Sequence, residues 1–259
     1  MKKILFAGLL TISLISCKKD PVDPEPTPTP APTATTGSLK VNFEAIVDTN
    51  ELVFDTQNYV NANLDTFKVN VFKYYVSNVV LTKSDNSTYV VPNSYFLVDH
   101  KTSGANMITL TGVPIANYKS IQFIIGVDST RNVSGAQEGA LAVSNNMFWS
   151  WNSGYIFAKM EGTSPQSGNS GKNLAFHIGG FAGANNALKT ITISFGSSTA
   201  NVSASVTPEV HLTSDLSKWF KGANTITFAT QHSIMMPGMN ALKIAANYSS
   251  MFAFEHVHN

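Results

Sequence analysis

The sequence predicts an all-β fold, an antiparallel β-sandwich with one or two short C-terminal helices. Three observations carry this. Apolar and polar residues alternate with a period of two in segment after segment, which puts one face of each strand in a core and the other in solvent. Clusters of Gly, Asn, Asp and Ser separate those segments, as hairpins require. Helical spacing enters only after residue 215, and roughly ten strands joined by turns fit a sandwich.

The first residues belong to targeting and spacing. Lys2 and Lys3 precede an apolar stretch from Ile4 to Ile15 that is too short to span a bilayer, so residues 1–16 read as a lipoprotein signal peptide. Leu14-Ile15-Ser16-Cys17 looks like a lipobox, with small residues before a cysteine that takes the lipid. Cys17 is the only cysteine, which leaves no disulfide partner. Lys18 follows it, where an Asp is the familiar inner-membrane retention signal, so outer-membrane attachment in a bacterial envelope is expected, facing the periplasm or the cell surface. Residues 17–37 hold prolines at 21, 24, 26, 28, 30 and 32 and read as a semi-rigid extended linker. Residues 38–259 remain for one β-domain.

Leu39, Val41, Phe43 and Ala45 alternate with Lys40, Asn42 and Glu44 to give the first strand. Phe67–Val71 and Tyr74–Leu81 read as two further runs, with Thr88–Val91 returning after the turn residues 84–87. Tyr95–Asp99 and Met107–Leu110 follow, and Gly112-Val113-Pro114 is expected to break the chain. Ser120–Val127 is strongly apolar, and residues 128–146 are loop-like. Trp149–Trp151, Tyr155–Met160, Leu174–Ile178, Lys189–Phe195, Ser203–Thr207, Val210–Leu212 and Thr225–Ala229 complete the predicted strands. Asp215 is placed to cap a short helix through Trp219 and Phe220, stopped by Gly222. Asn240–Phe252 is expected to form a second helix.

Several functions are excluded by what these residues are. A net charge of +1 with only 13% charged residues offers no basic surface for nucleic acid. No Gly-x-Ser-x-Gly, His-Glu-x-x-His or phosphate-binding Gly loop is present, and the carboxylates are scattered, so the chain is not expected to be an enzyme.

Two features remain. The stretch from Met147 to Gly162 concentrates aromatic residues, and Trp149 and Trp151 would share one face of a strand. The histidines are the other. His256 and His258 share a face if the tail is extended, His232 opens a methionine-rich segment, and His177 lies beside Gly179-Gly180, where a backbone or ligand can approach closely. Imidazole and thioether suit copper, so His177, His232, His256 and His258 are the candidate metal ligands. His100 and His211 have no clustered partners in the sequence and are expected at the surface. Asp128-Ser129-Thr130-Arg131-Asn132, with Glu138, offers hard oxygens of the kind calcium takes, without the regular spacing of a calcium loop.

Met147-Phe148-Trp149-Ser150-Trp151-Asn152-Ser153-Gly154-Tyr155 followed by Glu161-Gly162 resembles the signature of MbnP-like proteins, named for a partner in methanobactin operons. Tyr74–Asn78, Ile125–Asp128 and Phe176–Gly180 agree with it, so the likeness covers residues 39–259. The resemblance implies copper bound by histidines together with a tryptophan oxidised to kynurenine, a modification made by a di-haem peroxidase-like partner. Carried over, Trp149 or Trp151 is the residue to be oxidised, and His177 is the histidine that falls in a family motif. The expected function is thus a lipid-anchored copper carrier or scavenger in the envelope. The alternative is a metal-free surface module that binds a polymer or protein partner through aromatic residues.

Overall fold

The computed structural model describes residues 35–135, 137–149 and 154–259. Cys17, the linker before residue 35 and Trp151 lie outside them. The principal strands are β1 (Thr36–Val47), β2 (Thr66–Lys83), β3 (Thr88–Val90), β4 (Tyr95–Asp99), β5 (Met107–Pro114), β6 (Ala116–Ile125), β7 (Gly154–Thr163), β8 (Asn173–Gly179), β9 (Lys189–Ser194), β10 (Ala200–Val202), β11 (Glu209–Asp215) and β12 (Phe252–His258). Two α-helices accompany them, a single turn α1 (Ser129–Asn132) and α2 (Met239–Tyr248). No helix among the described residues is long and apolar enough to cross a membrane.

Two sheets form an all-β, sandwich-like fold. The smaller runs β12-β11-β1, with β5 on the far side of β1. The larger runs β9-β6-β2-β7-β8, with β3 and β4 also on β2 and β10 on β6. Their inner faces meet through aromatic rings: Phe43 of β1 stands edge-on to Tyr74 of β2 and Phe123 of β6, at centroid distances of 6.0 and 5.8 Å. The Tyr74 hydroxyl shares a 2.7 Å hydrogen bond with Ser214 of β11, satisfying two buried polar groups between the sheets. The alternation explains which side faces in. Leu39, Val41 and Phe43 are fully buried, while Lys40, Asn42 and Glu44 point outward.

Pairing is mostly antiparallel, but β1 and β11 run parallel, Lys40 opposite Glu209 through Ile46 opposite Asp215. More than a hundred residues separate them, so no tight turn imposes the antiparallel sense.

Other expectations need correcting. Phe67–Val71 and Tyr74–Leu81 are one strand, bent at an irregularity between Ser77 and Val80 where Asn78 takes φ 51°. Gly112 does not end β5. It takes φ 67° as the extra residue between Thr111 and Val113, which pair with Ser38 and Gly37. Ser203–Thr207 is not a strand; the paired residues are Ala200–Val202. Thr225–Ala229 is not one either. Phe228 packs against Phe67 and Phe220, and its backbone N–H is satisfied by the Asp65 carboxylate at 3.2 Å, so burial is met without a ladder.

Asp215 caps as expected, accepting from Ser217 N at 3.0 Å, and the helix it opens is a 3-10 turn, Leu216–Trp219. The last helix stops at Tyr248, four residues before the predicted end. Ala241, Ile244, Ala245 and Tyr248 form its buried stripe, and Phe252 begins β12.

Candidate metal centre

The tryptophan motif sits on the outer face of the larger sheet. Phe148–Trp149 pairs back onto the start of β7, Trp149 opposite Gly154 and Phe148 opposite Tyr155. The loop before it is tied down by side chains. Asn132 accepts from Tyr155 N at 2.9 Å and donates to the carbonyls of Val127 and Asp128. The Tyr155 hydroxyl donates to Leu141 O at 2.7 Å, and that of Tyr75 to Ala140 O at 3.0 Å.

Those anchors hold the Trp149 indole against β8. A Cβ built on Gly179 would lie 2.8 Å from Trp149 Cζ3, 2.9 Å from Cη2 and 2.6 Å from Tyr155 O, distances that real Cβ atoms do not reach. Only glycine admits the ring there. The close approach foreseen beside His177 is therefore made by the tryptophan itself. His177 is two residues back on the same strand and so projects from the same face.

The electrostatics of this face are specific. His177 Nε2 donates to Glu161 Oε1 at 2.8 Å, and Lys159 lies 3.0 Å from the same oxygen. The His177 hydrogen bond, reinforced by Lys159, lowers the Glu161 carboxyl to about 2 despite partial burial. With Nε2 donating, Nδ1 of the neutral ring carries the lone pair. Among the described residues that buried nitrogen has no hydrogen-bond partner, and neither does the indole nitrogen of Trp149. Two orphaned ring nitrogens on one face of the sheet are unusual, because buried polar atoms are normally satisfied.

Beside Trp149 lies a pocket of about 340 Å³ lined also by Tyr155, Phe181, Asn185, Met236 and Pro237. Met235, Met236 and Met239 are 38%, 62% and 69% exposed, so these side chains are not core filler.

The remaining histidines are dispersed. The His232 ring packs against Gly168, and its carbonyl accepts from Ala175 N at 2.9 Å; its buried Nδ1 has no partner among the described residues. His256 and His258 stand on β12 in the other sheet, their Nε2 atoms 3.0 Å apart. They are joined there by His211, which was expected to be isolated. The His211 ring stacks on His256 at 4.2 Å, because β11 pairs His211 directly with His256. Among the described residues, His211, His256 and His258 are the only group of three or more metal-ligating side chains close enough to share an ion. The four histidines singled out from sequence therefore do not make one centre.

His100 is half-buried, not freely exposed. It stacks on Phe72 at 4.8 Å and bonds the Tyr74 hydroxyl at 3.1 Å, and burial pushes its pKa down to about 3. The hard-oxygen loop is a hydrogen-bonded turn. One Asp128 oxygen caps α1 through Thr130 N and Arg131 N, and the other accepts from Asn78 and Tyr95.

Residues 36–236 match the protein family described as MbnP. The chain belongs to that family. In fold it is similar to the solved structure of MbnP from Methylosinus trichosporium, with 16% identity, a TM-score of 0.49, and coverage of 72% of this chain and 78% of that one. No curated protein sequence matches it. The matched region contains Trp149, Gly179, His177 and Glu161, and it ends before β12.

Proposed function

We propose that this MbnP-family protein is a copper carrier or scavenger of the bacterial envelope, tethered through Cys17, and not an enzyme. The copper would be cargo bound at the tryptophan motif. The observation that carries this reading is the seating of Trp149 on Gly179, two residues along β8 from His177, with a buried nitrogen in each of the two rings that has no hydrogen-bond partner among the described residues. Such atoms fit a ligand or a chemical change at that spot better than they fit an inert core. His177 Nδ1 is the nitrogen free to ligate, and Met236 at the pocket rim supplies a soft sulfur of the kind Cu(I) prefers.

Oxidation of Trp149 is the finer part of the proposal. Cleavage of the indole C2–C3 bond takes four electrons, so two hydrogen peroxide molecules consumed by the partner would put one oxygen atom on each carbon and leave as two waters. Hydrolysis then releases C2 as formate and leaves kynurenine, whose aniline nitrogen and carbonyl oxygen are new donors. The oxidation would be made by a di-haem peroxidase-like partner. Trp149 is 1% exposed, so it offers no aromatic platform to a polymer or protein partner, which weighs against the metal-free module.

Peptide mass mapping tests the modification. Protein produced in a host carrying the partner should show residues 147–162 with one ring carbon exchanged for oxygen, localised to Trp149. An unmodified tryptophan under those conditions would remove the oxidised-residue part of the proposal.

A further inference from the structure

The histidine trio on the smaller sheet lies away from the tryptophan motif, and two of its members follow the family-matched residues. Its geometry is built by strand register. β11 alternates Val210, Leu212 and Ser214 into the core with Glu209, His211 and Thr213 outward. On β12, Phe254 pairs with Leu212 and His256 with His211, so Glu255 is an extra residue without a counterpart. That bulge resets the alternation. Without it, the inward set Phe252 and Phe254 would continue to His256; with it, Val257 meets Val210, and His256 and His258 both face out beside His211 and Glu209.

The trio is compact and oriented. The His211–His258 and His256–His258 ring centroids are 5.0 and 4.6 Å apart, and one nitrogen from each of the three rings lies within 4.8 Å of the others. His211 is fixed from behind. Its Nδ1 donates to Glu44 Oε1 on β1 at 2.5 Å, which selects the tautomer with a lone pair on Nε2. Nε2 is buried and has no hydrogen-bond partner among the described residues, and the Glu209 carboxylate, Oε1 at 3.2 Å, is an acceptor that cannot donate to a lone pair there. A carboxylate behind an imidazole whose other nitrogen is free is the arrangement that orients metal-bound histidines. A pair of nitrogens on one tetrahedral zinc would be roughly 3.3 Å apart, given Zn–N bonds of about 2.0–2.1 Å. The His256–His258 separation of 3.0 Å is close to that. The donors are imidazole and carboxylate without sulfur, which suits a divalent ion and not Cu(I).

We propose that His211, His256 and His258 bind one Zn(II) or Cu(II) ion, with Glu209 as the carboxylate ligand and Glu44 as the residue that orients His211. The ion would pin β12, an edge strand, to β11. The site stands independently of the copper reading at Trp149.

The test is equilibrium dialysis of the full chain, stripped with chelator, against Zn(II) and Cu(II) separately. His177→Ala serves as the background, so that metal at the tryptophan motif does not enter the count. One ion per chain is expected. His211→Ala and the double variant His256→Gln/His258→Gln should each lose it, while Glu44→Gln should keep it with affinity about 10–100-fold weaker. The melting temperature should rise with added metal only where the ion is retained. Because His258 is exposed, His258→Gln alone should fold normally and still weaken binding at least tenfold, which keeps the test valid if the His211 variant does not fold. Absence of bound ion in the folded background protein, or undiminished binding in the double variant, overturns the proposal. Retention of Zn(II) but not Cu(II), or the reverse, identifies the ion.

Discussion

The Trp149 indole occupies the space that a side chain at residue 179 would fill, its Cζ3 atom 2.8 Å from where a Cβ would stand. Replacement of Gly179 by Ala should therefore displace the ring or open β8 from β7. Overpacking of this kind costs about 1–3 kcal/mol. Denaturant unfolding should show that loss, and the tryptophan emission of the folded variant should shift to longer wavelength. An unchanged midpoint and spectrum would mean that the indole is not seated there.

Asn132 holds the loop that delivers the motif, with all three of its hydrogen bonds made to backbone. Asn132→Ala leaves Tyr155 N without its partner, a loss of about 1–3 kcal/mol for a buried donor. Hydrogen exchange at Tyr155 and through residues 128–149 should quicken, while β1 and β11 keep their protection.

Glu161 gives an acid-side signature. Its folded pKa is depressed from 4.5 to about 2, chiefly by the His177 hydrogen bond. A depressed carboxyl adds stability above its unfolded value and loses it as pH falls through the folded one. Stability should thus decline between pH 4.5 and 2, and Glu161→Gln should flatten that part of the curve.

His100 acts over a higher range. Desolvation lowers its pKa from 6.5 to about 3, so between those values the unfolded ring takes up a proton that the folded ring refuses. Stability should fall as pH drops from 6.5 toward 3. His100→Phe should reduce the slope, since Phe can stack on Phe72 and the Tyr74 hydroxyl keeps its bond to Ser214.

Local pattern made much of this legible. Alternation marked β1 and the first part of β2, apolar runs marked β6 and β8, and Asp215 marked its helix start. The motif residues were also visible, including the need for small residues after His177, although not the fact that Trp149 fills the space. Periodicity was less informative where packing replaced pairing, as at Thr225–Ala229, and where a glycine bulge continued a strand, as at Gly112. The histidine trio could not be read because its parts are distant: Glu44 is 167 positions before His211, and the decisive feature is one unpaired residue, Glu255. Spacing within a segment shows which residues share a face, whereas strand register decides which faces meet.

The most direct measurement is the copper content of the chain carrying His211→Ala, His256→Gln and His258→Gln together, produced with the oxidising partner, incubated with Cu(I) and desalted. If copper is handled at the tryptophan motif, about one copper per chain should remain, in line with the single site proposed there, and His177→Ala in the same background should remove it. No retained copper in that folded protein, or copper that His177→Ala leaves in place, would contradict a copper site at Trp149 and His177.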